Sequence, residues 1–222
     1  KIRCSPAVKW GSITSGDEFF HHLFCKWEGF ALNLDIYSVS DRYISYLRSD
    51  PRLRIVFDNK ENGRIHTRKY LGVVFAQDSF LYYVPFSSPK NTDYVIGESD
   101  FRKIRKDTLS IIRIISTDTK LGKTELLGTL KLSNMIPVPK SELVPYKIND
   151  EKDIHYKNLV MKEYMFIKEN ESRILKNARV LYNQKSNPQK SFPNRPIPGY
   201  IVNTVDFCYA ERKCLEFRGD QL

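Results

Sequence analysis

The sequence predicts an α+β fold, an antiparallel sheet followed by helices. Three observations carry this. Short runs of β-branched and aromatic residues, separated by turn residues, fill the stretch from Leu34 to Pro139. From Asp153 onward apolar residues recur at threes and fours. Strand, helix, several strands and then helices follow one another with no internal repeat and no second-domain boundary.

Leu34-Asp35-Ile36-Tyr37 alternates like a first strand. Ser40 and Asp41 then offer an N-cap, and Tyr43, Ile44 and Leu47 share one face of a short helix. Asp50 to Thr67 is charged, contains Pro51 and Gly63, and reads as loop. Tyr70 to Phe75 is a buried strand, Asp78-Ser79 a turn, and Phe80 to Phe86 its hairpin partner. The hairpin leaves through Ser87-Ser88-Pro89-Lys90 into a loop from Asn91 to Ile96.

Thr108 to Ile115 and Thr124 to Leu132 read as two further strands, and Met135 to Pro139 as extended chain. Asp153 to Asn170 and Glu171 to Tyr182 read as helices. Lys185 to Pro198, rich in Pro, Ser, Asn and Gln, reads as a linker or mobile loop, and Asp206 to Phe217 as a closing helix.

Thirty-six Lys and Arg against twenty-six Asp and Glu give a formal charge of +10, which favours a polyanionic partner such as nucleic acid. No stretch approaches the ~18 apolar residues of a spanning helix. Asp17, Glu18 and His21 interrupt the apolar residues near the N-terminus, so no signal peptide is expected and the compartment is expected to be the cytoplasm. Cys4, Cys25, Cys208 and Cys214 form no C-x-x-C pair and the histidines lack ligand spacing, so no metal site and no cofactor are expected.

Several stretches, taken together and in order, resemble the toxins of type III toxin–antitoxin systems, the ToxN/AbiQ family. They are LDIYSVSDRYISYL from Leu34 to Leu47, RKYLGVVF from Arg68 to Phe75 with YYVPFSSPK from Tyr82 to Lys90, LGTLKLSNMIPVP from Leu127 to Pro139, and YKNLVMKEYMFIKENESRI from Tyr156 to Ile174 with the final DFCYAERKCLEF. The resemblance implies a compact single domain over residues 33–222, built on a strongly twisted antiparallel sheet like that of the Kid/MazF toxins and flanked by helices. Residues 1–32 lie outside it; they are expected to be a disordered extension or a mis-assigned start.

The resemblance also implies metal-independent RNA cleavage and no protein antitoxin. The expected partners are substrate RNA and an antitoxin RNA whose pseudoknots alternate with toxin subunits in a closed ring. In such cleavage the substrate's 2′-hydroxyl attacks phosphorus, leaving a 2′,3′-cyclic phosphate and a 5′-hydroxyl. Ser88 and Lys90 match the family's active-site serine and lysine. Pro89 restricts Ser88 to extended backbone, which fixes the direction of its hydroxyl. Lys90 is expected to stabilise charge on phosphorus, and Ser88 to hydrogen-bond a phosphate oxygen.

Arg68 is expected to grip phosphate, with Lys69 as the competing register. Tyr43 is expected in the site and Tyr37 against RNA, although an aromatic core position competes for both. Ser87 stands where the family often has threonine and is placed with the RNA contacts. Arg102, Lys103, Arg105 and Lys106 form a phosphate-contacting patch. Two rival readings are an RNA-binding protein without catalysis and a Ser-Lys hydrolase with Ser88 as nucleophile. The second lacks any G-x-S-x-G elbow.

Overall fold

The computed structural model describes residues 34–60, 65–96, 102–118, 120 and 122–219. The expectation for residues 1–32 lies outside these. Residues 34–222 cluster as one unit.

The first strand, β1 (Asp35–Val39), leads into α1 (Asp41–Ser49), whose N-cap is Ser40 as the sequence predicts: its hydroxyl accepts from the Tyr43 N–H at 3.2 Å. Tyr43, Ile44 and Leu47 face inward and are buried. Ser40 and Arg42 both donate to the buried carboxylate of Glu142, 102 and 100 residues away, which pins the helix start to a later 3-10 turn (Lys140–Glu142).

The hairpin of β2 (Lys69–Gln77) and β3 (Phe80–Ser87) forms as expected, with Asp78 in the left-handed region at φ 50°. Gly72 is required here because a Cβ would overlap the Tyr83 ring. The loop expected at Asn91 to Ile96 is instead a 3-10 turn (Asn91–Asp93) followed by β4 (Tyr94–Ile96). This strand pairs with β5 (Arg102–Ile104), so part of the basic stretch is strand, a run whose charges hide its period.

Strands β6 (Ile111–Asp118) and β7 (Lys123–Lys131) form a second ribbon, and short β8 (Ile136–Pro137) and β9 (Leu143–Pro145) follow. The seven-stranded sheet runs β6-β7-β3-β2-β1-β9, with β8 also on β3 and every pairing antiparallel. It is open. The order places β9, unexpected from sequence, beside β1.

Helices α2 (Ile154–Glu169), α3 (Glu171–Ser186) and α4 (Phe207–Gly219) complete the fold. Asp153 caps α2, accepting from His155 N–H at 2.9 Å and Tyr156 N–H at 3.1 Å. The expected linker carries a helical turn at Pro188–Ser191, and a second follows it at Gly199–Val202. Tyr82 of β3 meets Tyr182 of α3 and Phe207 of α4 edge-on, at 5.6 and 5.7 Å between ring centres. Glu211 satisfies both phenols of this cluster, accepting from Tyr82 and Tyr182 at 2.8 Å each. No helix among the described residues is long and apolar enough to cross a membrane.

Candidate active site

Every residue of β3 is buried, and the chain then emerges: Ser88, Pro89 and Lys90 are exposed. A rigid strand thus ends in a short polar turn. Lys90 holds extended backbone at φ −120°, ψ 160°. Its N–H donates to the Asp93 carboxylate at 3.0 Å, and its carbonyl accepts from the Asp93 N–H at 2.9 Å. The turn is therefore closed on Asp93, which is 1% exposed.

A buried charge cannot stand unpaired, and Asp93 has two cations. The Arg113 guanidinium lies 3.2 Å away and the Lys131 ammonium 3.9 Å. Burial holds the Lys131 ammonium below its usual range; Asp93 opposes this, and the charges of Arg113 and Lys90 add to it. Arg113 also donates to the Lys106 carbonyl at 2.7 Å. Its Nε, also buried, makes no hydrogen bond.

Register aligns Ser87 of β3, Thr129 of β7 and Arg113 of β6 in one row across the sheet. Cross-strand partners share a face, so this row backs the turn with buried polar groups. Thr129 Oγ1 donates to the Ser87 carbonyl at 3.4 Å. Beside it, Glu163 of α2 lies against Gly128, where a Cβ would collide with its carboxylate. Glu163, 8% exposed, and Asp93 are residues that sequence reasoning missed. Gly128 was the available signal, since a glycine inside a strand marks close approach by another group.

Of the expected site residues, Ser88 and Lys90 stand together on the exposed turn. Others require correction. Ser87 is 5% exposed, and its hydroxyl turns to the Ser88 carbonyl at 3.4 Å rather than outward to RNA. Arg68 is 2% exposed and does not present a phosphate fork. Its guanidinium donates to the Phe86 carbonyl at 2.6 Å and the Asp58 carbonyl at 3.1 Å, over the Phe57 ring at 4.6 Å. It ties the Phe57–Asp58 loop to the strand just before the turn.

Tyr43 is wholly buried: its hydroxyl donates to the Pro137 carbonyl at 2.7 Å and its ring meets Phe217 at 5.0 Å. Burial pushes this phenol well above its usual range. The inward face of α1 claims it for the core, so it does not face substrate. Tyr37 is half-buried, edge-on to Tyr83 at 5.4 Å.

Lys69 is the more available of the two competing cations. It is half-buried at the start of β2, donating to the Ser38 hydroxyl at 3.1 Å with the Tyr146 ring 4.4 Å away. Burial lowers its ammonium below the usual range, opposed by Glu151. β2 begins where β3 ends, so Lys69 shares an end of the sheet with the Ser88 turn.

Arg102, Lys103, Arg105 and Lys106 are exposed. Their hairpin springs from the turn: Arg105 N–H donates to the Asp93 carbonyl at 2.9 Å and its Nε to the Tyr94 carbonyl at 3.0 Å. The geometry thus assembles an exposed hydroxyl and ammonium with a cationic ribbon leading away from them. Such a surface can hold a phosphodiester chain.

Comparison with known proteins agrees with that chemistry. Residues 35–211 match the family described as toxin ToxN of type III toxin–antitoxin systems. The endoribonuclease ToxN of Bacillus thuringiensis subsp. kurstaki is 28% identical over 189 residues, covering 84% of this chain and 85% of that protein. The endoribonuclease AbiQ of Lactococcus lactis subsp. lactis is 27% identical over 184 residues, covering 82% and 88%. A solved type III toxin structure, from work on its selective inhibition by a non-coding RNA pseudoknot, superposes with a TM-score of 0.62 at 26% identity. It covers 84% of this chain and 98% of that one.

Proposed function

Because the chain belongs to the ToxN toxin family of type III toxin–antitoxin systems, we propose that it is an endoribonuclease toxin. We take it to act in the cytoplasm under restraint by a pseudoknot-forming antitoxin RNA, the two alternating in a closed ring. The sequence and fold relatives named above are endoribonucleases or RNA-inhibited toxins of this kind. The observation that carries the reading for this chain is the exposed Ser88-Pro89-Lys90 turn at the end of a fully buried strand.

The chemistry follows from the groups on that turn. The substrate's 2′-oxygen bonds to phosphorus, the bond to the 5′-oxygen breaks, and one proton leaves the first oxygen while another reaches the second. Lys90 places positive charge against the phosphorus-bound oxygens and Ser88 donates a hydrogen bond to one of them. Lys131, beneath the turn, has its ammonium held below the usual range by burial, which makes it a readier proton donor than an ordinary lysine. Arg68 acts at one remove by fixing the strand end, and Lys69 and the ribbon cations hold flanking phosphates.

The test is to incubate the purified protein with unstructured RNA in EDTA and identify the ends. The expected products carry 2′,3′-cyclic phosphate and 5′-hydroxyl ends, and Lys90→Ala forms them far more slowly. RNA that is bound but left intact would make the protein a non-catalytic RNA-binding module.

A further inference from the structure

An open cleft of about 580 Å³ is lined among others by Tyr94, Arg102, Ser116, Asp118, Lys123, Glu125 and Lys162. Three elements link it along the chain to the candidate active site. Tyr94 follows the 3-10 turn that Lys90 opens. Lys162 precedes Glu163, which packs on Gly128 beside Ser87. Glu125 lies three residues before Gly128 on β7, about 10 Å along an extended strand.

The lining is unusual in its unspent charge. Among the described residues, Arg102, Lys123 and Lys162 are exposed and make no ion pair, and the Glu125 carboxylate is exposed and has no partner. Ser116 and Glu125 are cross-strand partners and so share the face that looks into the cleft. Three free cations around one ring, with the Glu125 carboxylate free and that of Asp118 engaged by the Lys120 N–H, are a poor fit to a purely anionic or a purely apolar ligand. They fit a nucleotide, whose phosphates need the cations and whose base offers a flat face and hydrogen-bond donors.

We propose that this cleft is a nucleobase subsite that reads a nucleotide next to the scissile phosphate. This rests on the endoribonuclease reading above. Tyr94 is the stacking platform, while Arg102, Lys123 and Lys162 hold the adjoining phosphates. Glu125 accepts from an exocyclic amine, as carboxylates do from base amines. The subsite therefore selects adenine, cytosine or guanine over uracil, whose only edge donor is its imino N–H.

The test uses a pool of single-stranded oligoribonucleotides randomised around the cut, with product ends sequenced. Wild type is expected to disfavour uracil at one position adjacent to the cut. Glu125→Lys, which replaces the acceptor by a donor, should turn that position towards uracil without moving the others. Tyr94→Leu should lower kcat/KM on the preferred sequence on the order of tenfold, chiefly through KM. A folding check by circular dichroism accompanies each variant. Unchanged preferences and unchanged kcat/KM in both variants, with wild type cutting normally, would overturn the subsite and leave the nuclease reading intact.

If wild type fails to cut, the nuclease reading fails, and binding of a 2′-O-methyl oligonucleotide pool decides the subsite instead. Weaker binding and altered base preference in the two variants would support it; equal binding would remove it.

Discussion

At its first residues β3 is aromatic and packed beneath α3 and α4; at its last it carries hydroxyls and leads to an ammonium in solvent. The buried end is organised by a carboxylate, Glu211, that satisfies two phenols. The open end is organised by another, Asp93, that satisfies a backbone N–H and two cations. Both carboxylates remove the cost of burying polar groups. The difference lies in what they leave over: the first is spent on two phenols beneath the helices, whereas the second anchors a turn whose own lysine stays free in water. One strand thereby supplies stiffness at one end and an exposed hydroxyl and ammonium at the other.

The sharpest way to break this contrast is to remove the free charge. Lys90→Ala should cut the cleavage rate by roughly a hundred- to ten-thousandfold, since charge stabilisation and proton transfer are each of that order. Its melting temperature should hold, because Lys90 is exposed. A comparable loss of stability would show that the turn is structural. Arg68→Leu should do the opposite. It strands the Phe86 and Asp58 carbonyls, at a cost of about 3 kcal/mol in urea unfolding. Activity should fall only as far as the turn loosens.

A smaller effect separates core from site at α1. Tyr43→Phe removes one buried hydrogen bond and should cost about 1 kcal/mol, with kcat near that of wild type. A large fall in kcat at unchanged stability would return Tyr43 to the chemistry. The smallest effect lies at the buried end of β3. Burial raises the Glu211 carboxyl above its ordinary 4.5, against the opposing hydrogen bonds from Tyr82 and Tyr182. Above 4.5 and up to the raised value the folded chain keeps a proton the unfolded chain has lost, so stability falls as pH rises through that window. Melting temperatures across it should vary less steeply in Glu211→Gln.

Much of this was legible from residues alone. The β2–β3 hairpin, the Ser40 cap, the Asp78 turn and the long helices follow from local pattern and capping chemistry. What the sequence hid depends on distant partners. A periodic pattern says which face of α1 is apolar but not that Tyr43 is drawn to Pro137, 94 residues on. Arg68 looks like a solvated charge until the Phe86 carbonyl is placed beside it. Glu163 and Asp93 look like surface acids, because carboxylates are rarely buried and their companions come from other strands. Ser88 and Lys90 were legible through family resemblance, and Pro89 supplied the local reason for their fixed geometry.

The outer ribbon of β6 and β7 joins β3 through the pairs Phe86–Leu130 and Ser87–Thr129, immediately before the Ser88 turn. That narrow seam makes the turn the knuckle between two leaves, and a polymer lying across both would brace them against each other.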